Sequence, residues 1–392
     1  MRILHLVSSA LFSGPVPPTL ALALAQRELG AEVWLATDTR RGAWNPYEEA
    51  IGARLESLDL LPPMSLALSP RASPARHWQD LRHLSRWSQA GAVDVVHAHM
   101  SHDHILMALS AGSPVRVRTL HADRSLQARW GQGWLLRSCD GLIVRCAAHR
   151  ALVQARFGLP QARLALLRGS VDTQALQVAA PPQRLAARAA LGLPQDAVVL
   201  GQVALMHDRG HATLLQALAA LPSQGRPHLL WVGRGVEEEA LQAQVRELGL
   251  EPWVHFAGYA QGMPALQRAY AAMDAAFLAR PGNDASARAA LEAMAAGLPL
   301  LAVSQGVLAE LVDDSVGFRV ARCSPAAIAT ALRRWLSSSD LGRARGRRGR
   351  AWVVQQRSIK AEAAASLAFY RQLRAGNRRG ARPLLAPGSP PG

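Results

Sequence analysis

The feature that most narrows the fold is an alternation of short apolar runs with helical stretches, begun at the amino terminus and kept up along the chain. Residues 3–8 read as a buried strand, followed by a Gly-Pro loop, a helix from about Pro18 to Leu29 and a second strand over residues 32–36. Pro18 in the first helical turn and Gly30 just past the last suit such a helix, since proline loses no needed N–H there and glycine tolerates a left-handed exit. Strands follow at residues 93–97, 115–119 and 141–144, separated by helical stretches at 77–88 and 104–111. Parallel strands need crossovers, so this order predicts a parallel sheet with helices on both faces. After a polar, proline-containing stretch over residues 178–196 the pattern restarts, with strands at 197–203, 228–232, 254–257, 275–278 and 300–303 and helices at 211–220 and 236–248. The expectation is an α/β chain with two doubly wound parallel-sheet domains, residues 1–175 and 176–358. A helix over residues 359–375 is placed to pack back on the first domain, and the Gly- and Pro-containing tail, 376–392, is expected to be disordered.

Composition fits two buried cores: of 392 residues 49% are apolar and 18% charged. The formal charge is +16, but residues 341–392 hold 12 basic residues against Glu362 alone, so the excess is concentrated there. Lys360 is the sole lysine, which points to a genomic bias toward arginine. Clustered arginine also fits contact with an anionic membrane surface. Nucleic acid is disfavoured, because no aromatic-interleaved basic platform accompanies the charge. Cys139, Cys146 and Cys323 are too few and too unevenly spaced for a disulfide framework or a zinc site, which fits a reducing cytoplasm. The first residues superficially resemble a secretion signal, but His5, Ser8 and Ser9 interrupt its apolar core and Pro15, Pro17 and Pro18 break it. No run of about 18 apolar residues is present.

In doubly wound sheets ligands bind outside the carboxyl ends of the strands, where loops and helix amino termini collect N–H groups suited to phosphate. The segment over residues 279–299 has that character. Asp284 lies at a loop-to-helix transition, and Glu292, eight residues on, falls on nearly the same helical face. Both carboxylates are placed to accept hydrogen bonds from sugar and ribose hydroxyls. Taken alone, the pair also reads as an N-capping Asp284 and a surface Glu292.

This segment, ending Glu292-Ala-Met-Ala-Ala-Gly297-Leu-Pro299, resembles the signature of the retaining family 4 glycosyltransferases, the group 1 glycosyl transferases of the GT-B fold. Arg209-Gly210-His211, Val232-Gly233-Arg234-Gly235, residues 254–259 and Arg168-Gly169-Ser170-Val171-Asp172 are similar to successive segments of that family, in the family's order. The resemblance implies two Rossmann-like domains facing across a cleft and a nucleoside diphosphate sugar as donor. It implies that Glu292 binds the nucleotide ribose, Asp284 the donor sugar and Arg209 the diphosphate, with Ala285, Ser286 and Ala287 beside them and Gly258 and Tyr259 at the base. In the amino-terminal half it places Gly14 in a glycine loop near the donor phosphate and His121 near the reacting sugar. It further implies transfer to a glycan or lipid-linked hydroxyl with retention, the leaving phosphate taking the acceptor proton, with no metal and no cofactor. The chain departs from the common pattern at Asp284, where glutamate is usual, at Ala285 and Ala287, where glycines are, at Leu205, in place of an arginine, and at Pro15, in place of a second glycine. A catalytically silent nucleotide-binding relative is the alternative these departures raise.

His97, His99, His102 and His104 form a second chemistry-bearing run. His97 and His99 share one strand face, which admits a metal-dependent hydrolase, but the spacing misses the His-x-His-x-Asp-His pattern and no second ligand cluster is evident. A polar loop rimming the cleft is favoured instead, with Asp103 and His104 as candidates for the acceptor side.

Overall fold

A computed structural model describes residues 1–9, 14–38, 55–121, 126–127, 130–280 and 287–379. The chain divides into two compact units, Met1–Arg168 with Lys360–Gly392, and Gly169–Ile359.

The first unit is a six-stranded parallel sheet of β1 (Arg2–Val7), β2 (Glu32–Thr37), β3 (Val95–Ala98), β4 (Val115–Leu120), β5 (Gly141–Val144) and β6 (Leu164–Leu166). Its order is β2-β1-β3-β4-β5-β6, so strand addition reverses direction between β1 and β3. The helices are α1 (Val16–Glu28), α2 (Pro74–Gln89), α3 (Ser101–Leu109), α4 (Gln132–Arg137) and α5 (Ala147–Phe157). Successive strand residues point to opposite faces, and both faces are buried. Leu4, Leu6, Val96, Leu120, Leu142 and Val144 enter one core; Ile3, Val95, Val117 and Ile143 enter the other.

That second core is completed from the far end of the chain, by Leu367, Phe369, Tyr370 and Leu373 of the carboxyl-terminal helix, Ile359–Arg379. Gly141 lets this helix lie close on β5, because a Cβ there would sit 2.4 Å from Leu373 Cδ1 and 2.8 Å from the Phe369 ring. Glu362 accepts from Arg145 in an ion pair whose side chains are both less than a tenth exposed. The helix continues past residue 375 to Arg379, and the rest of the expected tail, 380–392, lies outside the described residues.

The second unit is another six-stranded parallel sheet: β7 (Val199–Val203), β8 (His228–Val232), β9 (Val254–Gly258), β10 (Ala275–Leu278), β11 (Leu300–Val303) and β12 (Gly317–Val320). The order β12-β11-β10-β7-β8-β9 puts its reversal between β7 and β10. Its helices, taken as α6 to α13 in chain order, are Pro181–Ala190, His211–Ala219, Glu238–Glu247, Gly262–Ala272, Arg288–Ala295, Val307–Leu311, Pro325–Leu336 and Ser339–Gln356; Ile359–Arg379 is α14. Residues 169–175, expected in the first domain, belong here: Val171 N–H donates to the Arg357 carbonyl at 2.9 Å and the Val171 carbonyl accepts from Ile359 N–H at 3.1 Å. The edge strands β6, of three residues, and β12, interrupted by the exposed Arg319, were not among the strands expected from the sequence. Among the described residues no helix is long and apolar enough to cross a membrane.

Candidate active site

In the second unit the two loops at the carboxyl ends of β7 and β10 flank the reversal of strand order, which is where a doubly wound sheet opens a crevice for a ligand. The first carries Arg209 and Gly210. Gly210 has φ +76°, and a Cβ there would lie 2.4 Å from Ala279 Cβ, so the turn packs directly on the end of β10. Gln202 Nε2 donates to the Arg209 carbonyl at 2.9 Å, and Asp208 N–H donates to Glu237 Oε1 at 2.9 Å. Arg280 pairs with Asp208 at 2.5 Å, tying the second loop to the first. The Arg209 turn is thus held from three sides by its own unit.

Residues 281–286 lie outside the described residues, and Asp284, Ala285 and Ser286 with them. Ala287 is buried at φ +50°, a left-handed conformation that costs a side-chain-bearing residue roughly 1–2 kcal/mol. A glycine would hold it without strain. Immediately after it α10 begins, and Glu292 lies in its second turn with its side chain 13% exposed. Glu292 Oε2 accepts from the Tyr270 hydroxyl at 2.9 Å and Oε1 lies 3.5 Å from Arg288 Nε. Burial and the Glu292 carboxylate push the Tyr270 hydroxyl well above its ordinary pKa, so it stays a donor. Tyr270 is an orienting residue that sequence reasoning missed, because nothing local links it to a carboxylate one helix away. At the end of β9, Gly258 has φ +69° and its carbonyl accepts from Gly233 N–H at 2.7 Å; Tyr259 beside it is exposed. Leu205 is also exposed.

In the first unit a row of histidines occupies the carboxyl end of the sheet at its own reversal, between β1 and β3. His5 and His97 are register partners on these strands. His5 Nε2 lies 2.8 Å from Gln26 Oε1 and His5 Nδ1 3.0 Å from His99 Nε2. His99 Nδ1 lies 3.0 Å from His121 Nε2 and 3.1 Å from the Thr19 hydroxyl. His97 Nε2 contacts the Thr119 hydroxyl and His97 Nδ1 the Tyr370 hydroxyl, both at 2.7 Å. Burial holds His5 down to about 4 and pushes His97, His99 and His121 well below the ordinary histidine range, so all four are neutral near pH 7. Gly14 follows β1 at φ +58° with open space around it.

The four-histidine metal set, the disfavoured reading of residues 97–104, is not assembled among the described residues. His5, His97 and His99 have ring nitrogens within 4.8 Å of one another, whereas His104 faces Cys139 Sγ at 2.9 Å and His102 lies against His77 with the rings tilted at 52°. The His5, His97 and His99 nitrogens are engaged in short hydrogen bonds, no carboxylate belongs to the group, and Arg118 and Arg145 bear on it with positive charge. Such surroundings oppose a divalent cation. The acceptor-side expectation for Asp103 and His104 also gives way. Asp103 is fully buried and accepts from Ser8 N–H and hydroxyl, His99 N–H and Met100 N–H, and His104 is 1% exposed.

The chain is similar to known proteins in family and in fold. Residues 183–352 match the family model "Glycosyl transferases group 1" and residues 19–175 match "Glycosyltransferase Family 4". The chain is 27% identical to a glycogen synthase of Mycobacterium tuberculosis over 307 residues, 73% of this chain and 70% of that one. A glycosyltransferase from Rickettsia africae superposes with a TM-score of 0.79 at 16% identity, over 95% of this chain and 98% of that one. HepE from Anabaena, solved in complex with UDP-glucose, superposes with a TM-score of 0.72 at 19% identity, over 97% and 100%. The two six-stranded parallel sheets with flanking helices match these structures in fold.

Proposed function

Given that the chain belongs to the group 1 glycosyl transferases, with their GT-B fold, we propose that it moves a sugar from a nucleoside diphosphate sugar to an acceptor hydroxyl of a glycan or lipid-linked saccharide, with retention at the anomeric carbon. The observation that carries this reading is the pairing, across the strand reversal of the second unit, of the braced Arg209 turn with the loop that leads to Glu292. Gln202, Glu237 and Arg280 brace the backbone of the turn that carries Arg209, whose cation stabilises a departing diphosphate, an effect worth roughly 3 kcal/mol per well-placed group. Glu292, oriented by Tyr270, accepts from the ribose hydroxyls. Asp284 with Ala285, Ser286 and Ala287 meets the donor sugar, Gly258 and Tyr259 the base, Gly14 the phosphate side, and His121 a hydroxyl of the sugar. The leaving phosphate takes the acceptor proton, and the scheme uses no metal and no cofactor. The UDP-glucose complex of HepE makes UDP the first nucleotide to try. The arginine-rich carboxyl-terminal region holds the enzyme on anionic lipid at the inner face of the cytoplasmic membrane, and equal failure of the full chain and of residues 1–375 to float with anionic liposomes removes that part.

The test is a thermal-shift panel of nucleoside diphosphates, followed by release of diphosphate from matching sugar donors with and without chelator. Stabilisation by one nucleotide and chelator-resistant turnover are expected, and Glu292→Ala abolishes the stabilisation. No shift with any nucleotide sinks the reading. A second reading, a nucleotide binder without turnover, is favoured by the strained Ala287 and by Leu205 standing where the family has arginine. Nucleotide stabilisation without diphosphate release would select it.

A further inference from the structure

The row of histidines in the first unit forms a directional chain. One end is anchored by a group with a defined polarity. Gln26 Nε2 donates to Ser366 Oγ at 2.8 Å and reaches the Tyr370 hydroxyl oxygen at 3.4 Å, and Ser366 spends its own proton on the Ala363 carbonyl at 2.8 Å. Gln26 therefore turns its carbonyl oxygen to His5, and a carbonyl only accepts. His5 must carry its proton on Nε2, which leaves Nδ1 bare. His99 must then donate from Nε2, and its own Nδ1 is bare in turn. His121 must donate to that nitrogen from Nε2. Thr19 Oγ1 lies 3.1 Å from His99 Nδ1 and 2.7 Å from the Pro15 carbonyl, and its one proton fits this direction when it turns to the bare His99 nitrogen. The reverse direction would need both the Gln26 amide turned over and the Ser366 hydroxyl turned away from the Ala363 carbonyl.

We propose that Gln26, His5 and His99 are positioning residues that lock His121 in its Nε2–H tautomer, presenting an unprotonated Nδ1 that acts only as a hydrogen-bond acceptor. Resting on the reading that His121 meets the donor sugar, this makes its ligand a hydroxyl rather than a phosphate oxygen or a carbonyl. Burial keeps the chain neutral, so the tautomer, and not a charge, is what is transmitted along it. The same helix that closes the core of the first unit supplies Ser366 and Tyr370, which set the polarity of Gln26.

The experiment is long-range 1H–15N correlation of histidine-labelled full-length protein, which reads the tautomer of each ring directly. His121, assigned by its loss in His121→Gln, is expected as the Nε2–H form in the wild type. In Gln26→Leu the anchor is gone and His121 becomes a mixture of tautomers, whereas Gln26→Glu keeps an accepting oxygen and restores the single form. In turnover, Gln26→Leu loses about tenfold in kcat/KM while nucleoside diphosphate affinity is unchanged, a split that general loosening of the fold would not produce. A wild-type His121 protonated on Nδ1, or a single unchanged tautomer in folded Gln26→Leu, overturns the proposal. If Gln26→Leu does not fold, the wild type and Gln26→Glu still decide it. Absence of turnover with every nucleotide sugar would count against the transferase reading alone, since the tautomers are measured without substrate.

Discussion

At the residue scale, two positions in the second unit show how little slack the candidate donor site has. Gly210 combines a left-handed backbone with a 2.4 Å approach to Ala279 Cβ. Gly210→Ala should therefore cost roughly 2–4 kcal/mol, the sum of left-handed strain and a steric overlap, read as a lowered urea midpoint. A loss under about 1 kcal/mol would mean that the turn does not pack on β10. Glu292 owes its orientation to Tyr270, so Tyr270→Phe should weaken nucleoside diphosphate binding several-fold while Glu292→Ala abolishes it; equal effects would mean that the tyrosine acts on folding alone. The helix that carries Glu292 and the Arg209 turn were legible in sequence because each is local: a loop-helix junction and an Arg-Gly dipeptide. Tyr270 was not, since its partner is twenty-two residues away in another helix.

At the element scale, α14 is a structural part of the sheet it covers. Leu367, Phe369 and Leu373 fill the core above β5, Tyr370 caps His97, and Glu362 neutralises the buried Arg145. Tyr370→Phe leaves His97 Nδ1 and Gln26 each short of a partner and should cost about 1–3 kcal/mol. Gly141→Leu should do more, by pushing the helix off β5, and should raise hydrogen exchange in residues 360–375 before it does so in the second unit. Uniform protection across both would refute that order. The helix and its return to the first domain were expected from the sequence, but the face of the sheet it covers was not.

At the scale of the whole molecule, the two units should respond differently to acid. His5 is held at about 4 and His104 at about 3 by burial, and His97, His99 and His121 lie well below the ordinary range; all five are in the first unit. In the second, burial holds His211 to about 4 and lowers His228 and His255 less. Below pH 6.5 the unfolded chain binds protons that the folded chain refuses, so stability present at neutral pH falls as pH drops toward 4. Each such histidine contributes about 1.4 kcal/mol per pH unit in that window. Hydrogen exchange followed from pH 7 to pH 5 should show the first unit opening ahead of the second. The opposite order would contradict the burial of the histidine row.

What the sequence determined by itself was the order of strands and helices, their division into two doubly wound units, and the Arg209 and Glu292 segments, because short-range periodicity and turn chemistry are written in neighbouring residues. The tertiary structure alone decided which distant polar groups meet. His5 finds His99 across 94 positions and Gln26 finds Tyr370 across 344, and these contacts turned an apparent run of metal-ligand types at residues 97–104 into a neutral chain ending at His121. They also leave Asp103 and His104 buried. The physical reason is that a buried polar atom must find a partner wherever the packed strands bring one, and that partner leaves no period in the sequence.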